Sequence, residues 1–141
     1  MISYTVALAL CRADPERILN MDKKILVVDD AAFMRKLIRE TLISGGYTDI
    51  VEAADGAEAC EKYYADRPDL VIMDITMPNV SGIEALHDIK EKDADAKVIM
   101  CSAMGQESMV VEAIKIGALD FIVKPFKPDL LLSAVEKIFE E

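Results

Sequence analysis

Five short apolar runs constrain this chain more than any other feature: residues 25–28 (ILVV), 50–53 (IVEA), 70–73 (LVIM), 98–101 (VIMC) and 121–123 (FIV). Each holds three or four residues, is rich in β-branched side chains and in the main is continuous rather than alternating. A strand that is apolar on both sides has to be covered on both faces, as in a parallel sheet sandwiched by helices. Helical periodicity occupies 32–44, 57–66, 82–91, 106–116 and 128–140. In the first stretch Met34, Leu37, Ile38, Thr41 and Leu42 share one face, with Arg35, Lys36, Arg39 and Glu40 turned away from it. Gly45-Gly46 closes that helix with residues that take a left-handed φ cheaply, Gly117 ends the fourth, and Pro128 suits the first turn of the fifth. Five strand–helix repeats predict one α/β domain, a doubly wound five-stranded parallel sheet with helices on both faces.

Charge and composition then narrow the functions. With 16 Lys+Arg against 26 Asp+Glu the chain has a formal net charge of −10, and no basic cluster offsets it. A net anion of this kind is repelled by phosphate backbones, so nucleic acid is not the expected partner. No apolar run reaches the roughly 18 residues of a membrane span. Cys11, Cys60 and Cys101 are odd in number and widely spaced, which predicts reduced thiols in a cytoplasmic protein rather than a disulfide frame or zinc site. His87 is the one histidine, and it falls on a helix stretch facing solvent. Met34, Met73, Met100 and Met109 are expected to fill the core. Any chemistry must therefore rest on carboxylates and a lysine.

The residues that end the apolar runs supply them. Run one is followed by Asp29-Asp30, run three by Asp74, run four by Ser102 and run five by Lys124. In a parallel sheet these positions gather at the carboxyl edge, where ligands bind in doubly wound folds. The second run ends without such a group, as an outer strand would. Three carboxylates together repel by about 4 kcal/mol per pair at ~4 Å and an effective dielectric near 20, so the cluster calls for cations. Lys124 is one. A divalent ion with oxygen ligands and retained water is the other, and Mg²⁺ suits that donor set. A phosphoryl group neutralised by both, attacked by one aspartate and hydrogen-bonded by Ser102, would complete a phosphoryl transfer to carboxylate. Pro125 holds Lys124 in extended geometry at the strand end.

The strings ILVVDD (25–30), MDITMP (73–78), CSAMG (101–105) and FIVKPF (121–126), in this order and at these separations, resemble the receiver domain of two-component response regulators. Within that family the likeness is greatest to the stand-alone chemotaxis regulators, and it covers 22–141. The resemblance implies a flavodoxin-like (βα)5 fold with strand order 2-1-3-4-5. It implies that Asp74 accepts a phosphoryl group from a histidine kinase and that Asp30, Asp74 and the backbone carbonyl of Thr76 ligate Mg²⁺, for which Mn²⁺ could substitute. Asp29 would act at the metal mainly through water, Lys124 would pair with the phosphoryl group, and Ser102 would move toward it. Phe121 matches the aromatic whose rotamer couples Ser102 to the surface, although many relatives carry Tyr there. Thr76 and Met104 stand where the family tunes the lifetime of the phosphorylated state. Partners implied are a flagellar switch or other effector protein at residues 106–140, and a phosphatase. The protein is expected to be a monomeric signalling switch, not an enzyme beyond its own phosphorylation and dephosphorylation.

Two other roles fit the same residues: a phosphorelay intermediate that passes the group to a histidine phosphotransfer protein, and a receiver-like interaction module that is never phosphorylated. A phosphohydrolase of the haloacid-dehalogenase type is disfavoured because its nucleophile ends the first strand, and nucleotide sites lack their glycine motifs. On 106–116 the excess of Met109, Val110, Val111, Ile114 and Ile116 fits either a helix packed broadly on the sheet or an exposed binding face. Residues 1–21 form a separate, mildly apolar extension of unknown role, either native or upstream of a start at Met21.

Overall fold

The computed structural model describes Asn20 and residues 22–140, so the expectations about the rest of the extension and about Cys11 lie outside the described residues. Strands β1 (Lys24–Val28), β2 (Asp49–Ala53), β3 (Leu70–Asp74), β4 (Val98–Ser102) and β5 (Asp120–Val123) alternate with helices α1 (Ala32–Ser44), α2 (Gly56–Asp66), α3 (Gly82–Lys92), α4 (Glu107–Ile116) and α5 (Pro128–Glu140). The strands form one parallel sheet in the order β2-β1-β3-β4-β5, as the α/β doubly wound reading requires. β2, the strand with no polar end group, is an edge strand.

The continuous apolar runs are continuous because both faces are covered. Ile25, Val27, Leu70, Ile72, Ile99 and Cys101 pack on one side with Ile38, Leu42, Leu131 and Val135 of α1 and α5. Their neighbours Leu26, Val28, Val71, Met73, Val98 and Met100 pack on the other side with Ala59, Tyr63, Leu86, Ile89 and Ala113 of α2, α3 and α4. Successive residues of a strand point to opposite faces, so one run serves two cores.

Local signals set the helix ends. Asp55 accepts a hydrogen bond from the Glu58 N–H at 2.8 Å and starts α2 one residue earlier than the periodicity indicated. Ser81 caps α3 through the Glu84 N–H at 3.2 Å. After α1 the left-handed position is Gly46, with φ of 94°. Gly45 has an ordinary φ and is small for a packing reason, since a Cβ there would lie 2.7 Å from Leu132 Cδ2.

Helix α4 departs from expectation. Ala113 is its one buried residue, while Met109, Val111 and Ile114 are 37%, 53% and 44% exposed. The broadly packed reading of this helix therefore fails. Met73 and Met100 fill the core as expected, but Met109 does not, because α4 turns it away from the sheet. His87 faces solvent beside Glu91, at 3.6 Å. Among the described residues no helix is long and apolar enough to cross a membrane.

Leu26 is 1% exposed in the centre of the sheet and Leu130 is 60% exposed on α5. Leu26→Ala should cost about 2–5 kcal/mol of unfolding free energy in urea titrations, through lost burial and a residual cavity. Leu130→Ala should stay within about 0.5 kcal/mol of the parent protein.

Candidate functional site

All strands run in one direction, so β1, β3, β4 and β5 deliver Asp29, Asp74, Ser102 and Lys124 to the same edge. Asp29 is 1% exposed, Ser102 1% and Asp74 8%, whereas Asp30 faces solvent. Each of the three aspartates can place a carboxylate oxygen within 4.8 Å of the other two. The Lys124 amine lies between two of them, 2.5 Å from Asp29 Oδ2 and 3.2 Å from Asp74 Oδ2. Its own backbone N–H donates to the Ser102 carbonyl at 2.7 Å, which ties the lysine to the end of β4. The Lys124-Pro125 peptide is cis.

Asp29 has both carboxylate oxygens engaged. Oδ2 takes the Lys124 amine, and Oδ1 takes the Ala31 N–H at 2.9 Å in a tight turn that leads into α1. Asp74 is less satisfied: apart from Lys124, its Oδ1 receives a long bond from the Thr76 N–H, at 3.4 Å. Behind it Gly82 lets the start of α3 approach the strand end. A Cβ at Gly82 would lie 2.0 Å from the Asp74 carbonyl oxygen, so no larger residue fits without moving backbone.

The electrostatics follow from this crowding. Burial pushes the Asp74 carboxyl above the ordinary aspartate range; the Lys124 charge opposes the rise and the Asp29 charge adds to it. Burial alone would lower the Lys124 amine, but the hydrogen bond it donates to Asp29 and the charges of Asp74 and Asp29 outweigh it and raise the amine instead. Three carboxylates against one ammonium leave two uncompensated negative charges in a small volume. The donors are all oxygen, hard and partly open to water, and their charge deficit equals that of a divalent cation. The residues fit Mg²⁺. Cys101 pairs in register with Asp74, but burial pushes its thiol up to about 12, so it is no nucleophile.

The remaining predicted residues line the mouth. Thr76 is exposed, and its hydroxyl accepts from Gln106 Nε2 at 2.6 Å. Gln106 Oε1 in turn accepts from the Ala103 N–H at 2.6 Å, so this one amide bridges the loops after β3 and β4. Sequence reasoning placed Gln106 inside α4 and assigned it no role. Its part depends on two loops meeting, which no local pattern reveals. Met104 is 83% exposed on the β4–α4 loop. Phe121 is 44% exposed on β5, so it is not a core aromatic. With Ser102, Met104, Val110 and Ile114 it lines an apolar groove of about 720 Å³.

Comparison with known proteins decides the family. Residues 25–136 match the profile of the response regulator receiver domain. The chain belongs to the receiver-domain family. Among similar proteins, the chemotaxis protein CheY of Bacillus subtilis is 57% identical over 117 residues, covering 83% of this chain and 98% of that protein. CheY of Thermotoga maritima is 52% identical, covering 84% and 98%. Of solved structures, the CheX–CheY–BeF3–Mg²⁺ complex from Borrelia burgdorferi contains a chain that superposes with a TM-score of 0.79 at 41% identity, over 83% of this chain and 89% of that one. The receiver domains are signalling proteins rather than enzymes acting on a separate substrate, and they bind Mg²⁺ in an acidic pocket of the kind formed here by Asp29, Asp30 and Asp74.

In this receiver domain the raised Asp74 carboxyl has a direct consequence for stability. The folded state holds that proton more tightly than the unfolded chain does, so the stability it contributes is full at low pH. That contribution is lost as pH rises from the ordinary aspartate value through the raised one. Above the ordinary aspartate range Asp74 therefore opposes folding. Asp74→Asn should melt above the parent protein at pH 7 in thermal scans without metal, and the difference should shrink as the pH falls toward about 4. An equal or lower melting temperature at pH 7 would contradict the assignment.

Proposed function

We propose that the protein is a phosphorylation-activated signalling switch. Asp74 accepts a phosphoryl group from a phosphohistidine of a histidine kinase, and the consequence is read by an effector protein at residues 106–140, most directly in control of a flagellar motor. The observation that supports this reading best is the placement of the Lys124 amine between Asp29 and Asp74 at the carboxyl edge.

The reaction needs an in-line nucleophile and compensation for the charge on the transferring group. Asp74 Oδ attacks phosphorus while the P–N bond to the donor imidazole breaks. The leaving nitrogen keeps the electron pair and is protonated. Desolvation makes the Asp74 carboxylate more basic than a free one, which favours attack while it is ionised. Lys124 already touches the acceptor oxygen, and its ammonium is placed to pair with the incoming phosphoryl oxygens. Asp29, Asp30, Asp74 and the Thr76 carbonyl would hold Mg²⁺, which when bound neutralises further negative charge on the phosphoryl group. Asp29, each of whose oxygens already accepts one hydrogen bond, from Lys124 and from the Ala31 N–H, would act at the metal mainly through water.

The same residues explain how modification is read. A phosphoryl group adds about −1.5 to −2 charges beside Ser102. Ser102 closes β4 and also lines the apolar groove that Phe121 borders, so its movement toward the phosphoryl group alters the groove from inside. Phe121, Met109, Val111 and Ile114 give that face the exposed apolar character of a protein-binding surface. Thr76 and Met104, exposed at the mouth of the site, set how long the phosphoryl group persists. The chemotaxis role is supported by relatives named for chemotaxis whose length this chain matches almost throughout.

Intact mass after incubation with acetyl phosphate tests the reading. The parent protein should gain one phosphoryl group in the presence of Mg²⁺ and much less without it, and Asp74→Asn should gain none. No gain under any condition would leave only an unphosphorylated interaction module.

A further inference from the structure

β2 sends no polar side chain to the edge, yet it is connected to the acidic cluster through Arg35. The Arg35 guanidinium donates from Nη1 to the backbone carbonyl of Asp29 at 2.7 Å and from Nε to Glu52 Oε1, on β2, at 3.1 Å. The other Glu52 oxygen receives Arg39 Nη1 at 3.0 Å, and the Glu52 carbonyl receives the Lys62 amine. The Arg35 side chain is 19% exposed, so its fork is largely enclosed between α1, β2 and the β1–α1 turn.

The carbonyl that Arg35 grips belongs to the peptide joining Asp29 to Asp30. On the Asp29 side that turn is held by the Asp29 N–H to the Ala53 carbonyl at 3.2 Å and by the Ala31 N–H to Asp29 Oδ1 at 2.9 Å. Asp30 is exposed, and among the described residues no side-chain hydrogen bond is seen to orient it. The plane of the Asp29–Asp30 peptide fixes where the Asp30 Cα–Cβ bond starts, and Arg35 fixes that plane.

Resting on the Mg²⁺ reading above, we propose that Arg35, braced by Glu52, is a positioning residue that presents Asp30 to the divalent ion. Groups that orient metal ligands from behind are worth about 10–100-fold in metal affinity when removed. The guanidinium reaches the Asp29 carbonyl and the Glu52 carboxylate from two separate nitrogens, Nη1 and Nε, a spread that the single nitrogen of an ammonium does not reproduce.

The sign of the effect separates this role from plain electrostatics. Arg35 is a cation beside a site for a dication, so by charge alone its removal strengthens Mg²⁺ binding. Positioning predicts the opposite. Calorimetric titration of the full chain with Mg²⁺ alone should show Arg35→Met weakening binding on the order of 10-fold, with far-UV circular dichroism unchanged. Arg35→Lys, which keeps the charge, should also weaken it, and it carries the test if Arg35→Met does not fold. Arg35→Met combined with Glu52→Gln should bind no more weakly than Arg35→Met alone, because the pair acts as one support. Equal or tighter binding by a folded Arg35 variant, with the parent protein binding normally, overturns the proposal. Failure of the parent protein itself to bind Mg²⁺ overturns the metal reading beneath it as well.

Discussion

One ammonium group stands between two buried carboxylates at the carboxyl edge of the sheet, and the rest of the site is arranged around that contact. Lys124 follows the end of β5 and Asp29 the end of β1, with two strands, β3 and β4, between them. Their meeting at 2.5 Å draws the tops of those strands into a single polar cluster. Without the amine, Asp29 and Asp74 would face each other at low exposure with no compensating charge, a costly arrangement inside a protein. With it, the pocket still carries an excess of negative charge. That excess suits the pocket to a cation.

The fold puts this cluster close to a surface it can influence. β4 ends in Ser102 and β5 is followed by Lys124; β4 is buried throughout, while β5 and α4 carry exposed apolar side chains in Phe121, Val123, Met109, Val111 and Ile114. α4 fully buries only Ala113 and packs Val110 and Ile116 partly buried against the core, the least buried of the five helices. Ser102, at the end of β4, thus stands beside the acidic cluster and also lines the groove that Phe121 borders. By contrast, α1, α2, α3 and α5 each bury three or four residues and serve as the rigid frame.

Much of this was legible before any coordinates. Apolar runs of about four residues could only be strands covered on both faces, and the polar residue after each run then had to lie at one edge. That reasoning reached Asp29, Asp30, Asp74, Ser102 and Lys124 without a contact in view, because strand direction converts sequence position into spatial position. The caps at Asp55 and Ser81 were also written locally, each with a glutamate three residues on. What could not be read were contacts between residues distant in sequence and dependent on loop paths. Gln106 bonds Thr76 thirty residues away, Arg35 reaches Glu52 seventeen residues away, and Gly82 is required by a carbonyl eight residues earlier. Met109 was misread because its helical spacing matches a core position, and only the tilt of α4 shows that it faces out.

The central claim is that the three aspartates hold more negative charge than Lys124 can balance and are built for a divalent ion. Melting temperature against Mg²⁺, compared with K⁺ at matched ionic strength, measures this most directly for the parent protein and for Asp30→Asn. The account predicts a rise with Mg²⁺ that K⁺ does not reproduce, reaching about 2.7 kcal/mol of stabilisation at 100 times the dissociation constant, and largely lost in Asp30→Asn. Identical curves for the two salts in the parent protein would contradict it.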